Sequence, residues 1–485
     1  MRWMLLAFAW CAGAAFAFAI GDALYSTTLP ELRPWHTVSL DGEFDASRAV
    51  PGYDFDAYRA DEARLFDAVE RLRGERFDPS LDTAVSRFAP GRGPYAARVE
   101  GDWNRSARLD APNPRGVALL LHGLSDSPYS MRALALALRD AGVTVYLLRL
   151  PGHGTIPSGL DTADWPDWLA AVELTVRQIR RDHPSLPFWY AGFSTGATLG
   201  LKLCATAVRS GRTELLPRRL FLFSPALGVT RFAALANVQR LVSRWGVAPK
   251  ARWANVGPEI DPHKYESFAK NAGAQISALI TSLYEDLREL ERDGAIARLP
   301  PVSGFQSVVD ATVVTTDLAT RFYALLHGGT SELVLYDVNR RTGATALLAS
   351  PPDAVVDAFE RAPRRGYRLV VLGNPDGART LTELTWAPGA AEPVSRALPL
   401  AWPEDVVSLS HLALPISPGD PIYGLHPAPS ADGLPSLGAL ALRGERGVLA
   451  IAAADQLRLR ANPFFDDLLA RVLARIDADA PARRP

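Results

Sequence analysis

The chain has 485 residues, 48% of them hydrophobic and 22% charged, with a formal net charge of −1 at pH 7. That length allows two or three domains or one elaborated α/β domain, and the apolar share is ample for a large core. A charge balance this near zero excludes a long-range field for gathering nucleic acid or an anionic bilayer, so no nucleic-acid partner is expected. Neither a Cys/His cluster with zinc spacing nor a Walker-type or Gly-x-Gly-x-x-Gly loop occurs, so no metal and no cofactor is assigned. The two cysteines, Cys11 and Cys204, fall in an N-terminal apolar run and on a predicted helix, a placement that argues against a disulfide.

Residues 1–24 read as a membrane anchor or a signal peptide. About 18 uncharged residues run from Trp3 to Ile20, the lower edge for spanning a bilayer. Arg2 precedes them and Asp22 follows, so the positive-inside bias directs the rest of the chain to the non-cytoplasmic side of the cell envelope. Cleavage after Ala17-Phe18-Ala19 is the alternative, which would release a soluble exported protein. Residues 25–115 form an N-terminal extension. It contains an amphipathic helix near "DFDAYRADEARLFDAVERLRGE" and ends in the Pro/Gly-rich "DAPNPRG".

From 116 to 227 strands and helices alternate, the pattern of a mostly parallel sheet flanked by helices. The strands are "GVALLLHG" (116–123), "VTVYLLRL" (143–150), "PFWYAGF" (187–193) and "RRLFLFSPAL" (218–227). Helices are predicted at 130–142, stopped by Gly142, and at 163–182, with Pro166 in the first turn. Residues 228–298 are mainly helical and read as a cap over the crevice where such sheets bind ligands. The core resumes over 299–340 with a fifth strand at 302–314. Residues 341–402 form a β-rich insertion with a hairpin around Asn374-Pro375-Asp376-Gly377, and 403–485 complete the core.

The stretch "GFSTGATLG" carries the chemistry. A Gly-x-Ser-x-Gly match alone is weak, but Ser194 follows a predicted buried strand and opens a predicted helix, the context a nucleophile turn requires. A serine hydroxyl needs a base, and in this architecture the order is serine, acid, histidine. Three histidines follow the fifth strand. His411 lies where the apolar β-type run "EDVVSLSH" enters a Pro/Gly loop and is the preferred base; His426 and His327 are the alternatives. Asp310 ends "GFQSVVD" and is the preferred acid, with Asp337 and Asp317 as fallbacks. The backbone N–H groups of Leu124 and Thr195 are the expected oxyanion donors. His122 and His153 read as loop-ordering residues.

With "LLLHGLSDSPYSM", "LRLPGHGT", "DWPDWLAAV", "GFSTGATLGLKL" and "QSVVDATV" in view, the sequence resembles the α/β-hydrolase superfamily. The likeness is to its monoglyceride-lipase, carboxylesterase and serine-aminopeptidase-like branch, over roughly 116–340 and again around His411. The resemblance implies that the matching serine is the nucleophile, that the matching aspartate follows the same strand, and that the cap shapes an acyl pocket. It implies a serine hydrolase cleaving carboxylic esters through an acyl-enzyme, on a small-molecule or lipid-like substrate. An acyltransferase with the same residues, or a binding protein on the same scaffold, are the rival readings. The family's histidine usually follows its next strand closely. Here about 70 extra residues intervene, so the insertion must either extend the sheet or reorder its strands.

Overall fold

The computed structural model describes residues 20–228, 249–342, 353–361, 366–375, 377–425, 433–439 and 456–480, with Trp3, Trp10, Gly13 and Ala17 besides. Its strands are β1 (Ala107–Leu109), β2 (Gly116–Leu121), β3 (Val143–Leu148), β4 (Phe188–Phe193), β5 (Leu220–Phe223), β6 (Trp253–Asn255), β7 (Phe268–Ala269), β8 (Val302–Ser307), β9 (Glu332–Tyr336), β10 (Arg368–Gly373), β11 (Thr380–Trp386) and β12 (Val394–Ala401). Ten of them form one sheet in the order β1-β3-β2-β4-β5-β8-β9-β10-β11-β12, and β6 and β7 pair as a separate ribbon. From β3 to β10 every neighbouring pair is parallel; β1, β11 and β12 run antiparallel.

The continuous apolar runs have the physical cause expected of a doubly covered sheet. In β2 every residue is buried, and alternate side chains enter different layers. Val117, Leu119 and Leu121 join one core with the helices α1 (Phe55–Arg76), α3 (Trp165–Asp182), α4 (Thr195–Ser210) and α5 (Lys270–Arg292). Ala118 and Leu120 join the other, with α2 (Arg132–Asp140) and α6 (Phe465–Asp479). Gly142, at φ +84°, supplies the left-handed residue that ends α2 before β3.

Three expectations need correction. The run "VVSLSH" is not a strand. Residues 406–410 form an irregular strap that crosses the C-terminal ends of β8 and β9, held by Asn339 N–H to Val407 O (2.7 Å) and Ser307 Oγ to Leu409 O (2.8 Å). The run "TTDLATRFYALLH", whose pattern predicts a helix ending at His327, instead forms short turns of different pitch over 315–325. The second half of the expected cap is α5, which lies flat on α4 as the crossover between β5 and β8. Lys202 of α4 and Asp286 of α5 form a buried ion pair there (2.6 Å). The described part of the covering segment is residues 249–269, with its ribbon; 229–248 lie outside the described residues.

The insertion solves the spacing problem by extending the sheet. β10 adds parallel to β9, and β11 and β12 follow, each antiparallel to the strand before it. The strap then returns from this added edge to the ends of β9 and β8. Among the described residues no helix is long and apolar enough to cross a membrane, and most of the predicted span 3–20 lies outside them.

Candidate active site

Ser194 sits at the turn from β4, a central strand, into α4. Its backbone is strained, at φ 52° and ψ −111°. The flanking glycines make that turn possible. A Cβ on Gly192 would stand 2.5 Å from backbone atoms of Gly196 and Ala197, and one on Gly196 would stand 2.7 Å from the carbonyl oxygens of Leu121 and His122. The hydroxyl is thus presented at the N-terminus of α4, where unpaired amides and the helix dipole favour negative charge.

The structure brings three of the sequence-selected side chains together. Ser194 Oγ lies 3.0 Å from His411 Nε2, and His411 Nδ1 lies 2.8 Å from Asp310 Oδ2. Asp310 follows β8, and His411 arrives at the end of the strap, 101 residues later in sequence. The second Asp310 oxygen accepts the amides of Thr312 (2.8 Å) and Val313 (3.0 Å), and Gln306 Nε2 donates to Oδ2 (2.9 Å). Burial pushes the Asp310 carboxyl up, but the charge and hydrogen bond of His411, with the two amides, outweigh it and hold the group below its ordinary value. It is therefore an anion that orients the imidazole. The ring of His411 also rests against Phe193 (5.2 Å between centroids).

The amides of Leu124, just past β2, and of Thr195, first in α4, take part in no hydrogen bond among the described residues. Leu124 follows β2 and Thr195 follows Ser194 at the end of β4, its parallel neighbour. Beside them a cleft is lined by Asp126, Tyr129, Phe193, Lys264, Leu412 and Arg460.

The other selected residues stand elsewhere. His122 is fully buried; its Nδ1 meets Gly123 O (2.8 Å) and its Nε2 accepts the amide of Leu150 (3.0 Å), tying two loops together. Burial, reinforced by neighbouring His153, holds it well below the usual histidine range, which suits a neutral ring. His153 is pushed down to about 3 by burial and meets Pro151 O. His327 is exposed before the N-terminal end of β9, at the opposite edge of the sheet. Asp337 pairs with Arg340 and Asp317 with Arg321. His426 lies outside the described residues. Cys204 is buried in α4 as a free thiol. Sequence reasoning missed Gln306 and Ser307, although both stand in the quoted "QSVVD"; their partners are set by tertiary structure alone.

A family model described as serine aminopeptidase, S33, matches residues 112–349. A thermostable monoacylglycerol lipase from Bacillus sp. (strain H-257) is 41% identical over 90 residues, 19% of this chain and 35% of the lipase. The chain thus matches about a third of that curated relative's length. Two solved structures are also similar. One is a monoglyceride lipase of Saccharomyces cerevisiae in complex with a substrate analogue (14% identity, 48% of this chain, 82% of that chain, TM-score 0.38). The other comes from work on the metagenome-derived lipolytic enzymes LipS and LipT (20% identity, 48% of this chain, 87% of that chain, TM-score 0.37). Residues 112–349, which carry the serine turn and most of the parallel sheet, thus match the serine aminopeptidase, S33, family of α/β hydrolases.

Proposed function

We propose that the protein is a serine hydrolase of carboxylic esters, with Ser194 as nucleophile, His411 as general base and acid, and Asp310 as its orienting anion. The observation that carries this reading is the hydrogen-bonded chain from Ser194 Oγ through His411 to Asp310. In the first half-reaction His411 Nε2 takes the Ser194 proton as Oγ attacks the ester carbonyl. The Leu124 and Thr195 amides donate to the oxyanion of the tetrahedral intermediate. His411 gives the proton to the departing alkoxide, then deprotonates the water that releases the acyl group. The matched lipase and the near-neutral surface favour a lipid-like or short-to-medium acyl ester.

A fluorophosphonate probe tests the mechanism. Wild-type protein labels and hydrolyses p-nitrophenyl esters, whereas Ser194→Ala and His411→Ala do neither. Equal labelling of Ser194→Ala would overturn it.

We further propose that the protein is exported and held at the membrane by residues 3–20. Arg2, the uncharged run and Asp22 support this, as do the exposed Trp3, Trp10, Ile20 and Leu24. Alkaline carbonate washing should leave the protein in the membrane pellet, with its bulk open to protease added from the non-cytoplasmic side. A mature N-terminus at Ile20 would replace the anchor with a cleaved signal.

A further inference from the structure

Lys264 belongs to the covering segment, yet its ammonium reaches into the loop after β2. Nζ donates to Asp126 Oδ1 (2.8 Å), to Ser125 Oγ (3.0 Å) and, at 3.4 Å, to Leu124 O. The next residue reinforces the contact: the Tyr265 amide donates to Ser125 O (2.8 Å). Ser125 directly follows the proposed oxyanion donor Leu124, and it is one of few non-glycine residues at positive φ (62°). Such a backbone persists only where its surroundings hold it. On the covering side Lys264 is itself fixed, since Asp261 Oδ1 accepts the amides of His263 (3.0 Å) and Lys264 (3.1 Å). Asp261 is in turn held by Tyr423 and by Arg460 (3.2 Å).

We infer that Lys264 is a positioning residue for the oxyanion site: by gripping Leu124 O, Ser125 and Asp126, it makes the aim of the Leu124 amide depend on the seating of the covering segment. The inference rests on the serine-hydrolase reading above. Two physical effects act together. The three donors of one ammonium lock three consecutive loop residues into one geometry, and a misaimed oxyanion donor loses most of its value. The ammonium also neutralises Asp126, whose carboxylate would otherwise stand two residues from a site that must accept negative charge.

Full-length Lys264→Met and Lys264→Arg are compared with wild type on a p-nitrophenyl ester, with Ser194→Ala measured in parallel. Removing an oxyanion donor outright lowers kcat about 10²–10³-fold. Misaiming it is expected to lower kcat in Lys264→Met by about tenfold or more, with KM within about twofold. Affinity for a boronic acid, which mimics the tetrahedral intermediate, should fall in step with kcat/KM. Lys264→Arg keeps a cation and donors and should recover part of kcat. A Lys264→Met enzyme with unchanged kcat and boronate affinity overturns the inference. So does a loss confined to KM, or one that tracks a lowered melting temperature and disappears when assayed well below it. In each of those outcomes the serine mechanism still stands if Ser194→Ala is inactive; hydrolysis by Ser194→Ala overturns that mechanism instead.

Discussion

Asp310 holds four hydrogen bonds and an ionised state that burial alone would oppose. Replacing it with Asn keeps the shape but not the charge. The imidazole then loses the partner that fixes its tautomer, and kcat should fall by about 10⁴-fold with the fold intact. The same carboxylate makes a pH prediction. Its folded pKa lies below the ordinary 3.8, so its stabilising contribution is complete above that value and is lost as pH falls through the lower folded one. The stability gap between wild type and Asp310→Asn, measured by urea unfolding, should therefore be constant near neutrality and shrink below about pH 4. A gap that widens in acid would remove the anion from this account. At this scale much was legible in the sequence. Gly192 and Gly196 announce a turn with no room for side chains, and "SVVD" announces an acid at a strand end. What the sequence could not carry was the second set of contacts. Gln306, Ser307 and Lys264 are chemically ordinary until tertiary structure brings them beside Asp310, the strap and the loop after β2.

The elements separate into those that local pattern determines and those that it does not. The strands with continuous apolar runs and the helices with 3.6-residue periodicity lie where the sequence places them, because each buries its own pattern. The strap 406–410 has the alternation of a strand, but no neighbouring strand has a free edge for it above β8 and β9. Its backbone bonds instead to Asn339 and the Ser307 hydroxyl. The covering segment 249–269 lies within a stretch, 228–298, whose pattern is mainly helical, yet it carries the β6–β7 ribbon and encloses buried acids. Glu259 is fully buried at φ 53°, and its Oε1 accepts the amide of Ser267 (2.8 Å). Burial pushes it up to about 7, against the pull of Arg87 from the N-terminal extension. Burial, then the charge of Glu259, pushes Glu266 up to about 8, and Asp261 and Arg460 also face it. Folded values raised above the unfolded 4.5 mean that the segment is most stable in mild acid. The penalty grows as pH rises from about 4.5 to about 7 and could reach roughly 3 kcal/mol for Glu259. Glu259→Gln, which keeps the acceptor for Ser267, should raise the melting temperature at pH 8 and do so far less at pH 5. An equal effect at both pH values would show that the acid is not neutral in the folded protein.

At the scale of the whole molecule, the family-matched residues 112–349 are not a self-sufficient body. Arg149, at the end of β3 with a side chain 1% exposed, is paired with Glu43 (2.8 Å) and Glu62 (3.2 Å), both from the N-terminal extension. Glu62 also accepts the amide and hydroxyl of Ser106, and Tyr58 donates to Arg149 O (2.7 Å). Without the extension Arg149 loses both carboxylate partners and keeps only the carbonyls of Leu150 and His153. The other face of the sheet depends on the far end of the chain. Leu468, Val472 and Ile476 of α6 complete its core, while Arg475 pairs with Glu332 of β9 and Asp479 with Arg219 beside β5. The strap that delivers His411 belongs to the same C-terminal part. A fragment of residues 112–349 would therefore expose one apolar layer beneath the lost α6, strip Arg149 of its two carboxylates and lack His411 altogether. It should show no cooperative thermal transition and should bind the dye ANS, whereas the chain from residue 21 onward should melt cooperatively. Cooperative unfolding of the fragment, followed by circular dichroism, would mean that the extension and the C-terminal helix decorate a core that stands alone. The ion pairs that tie both terminal segments to the sheet argue that they are part of it.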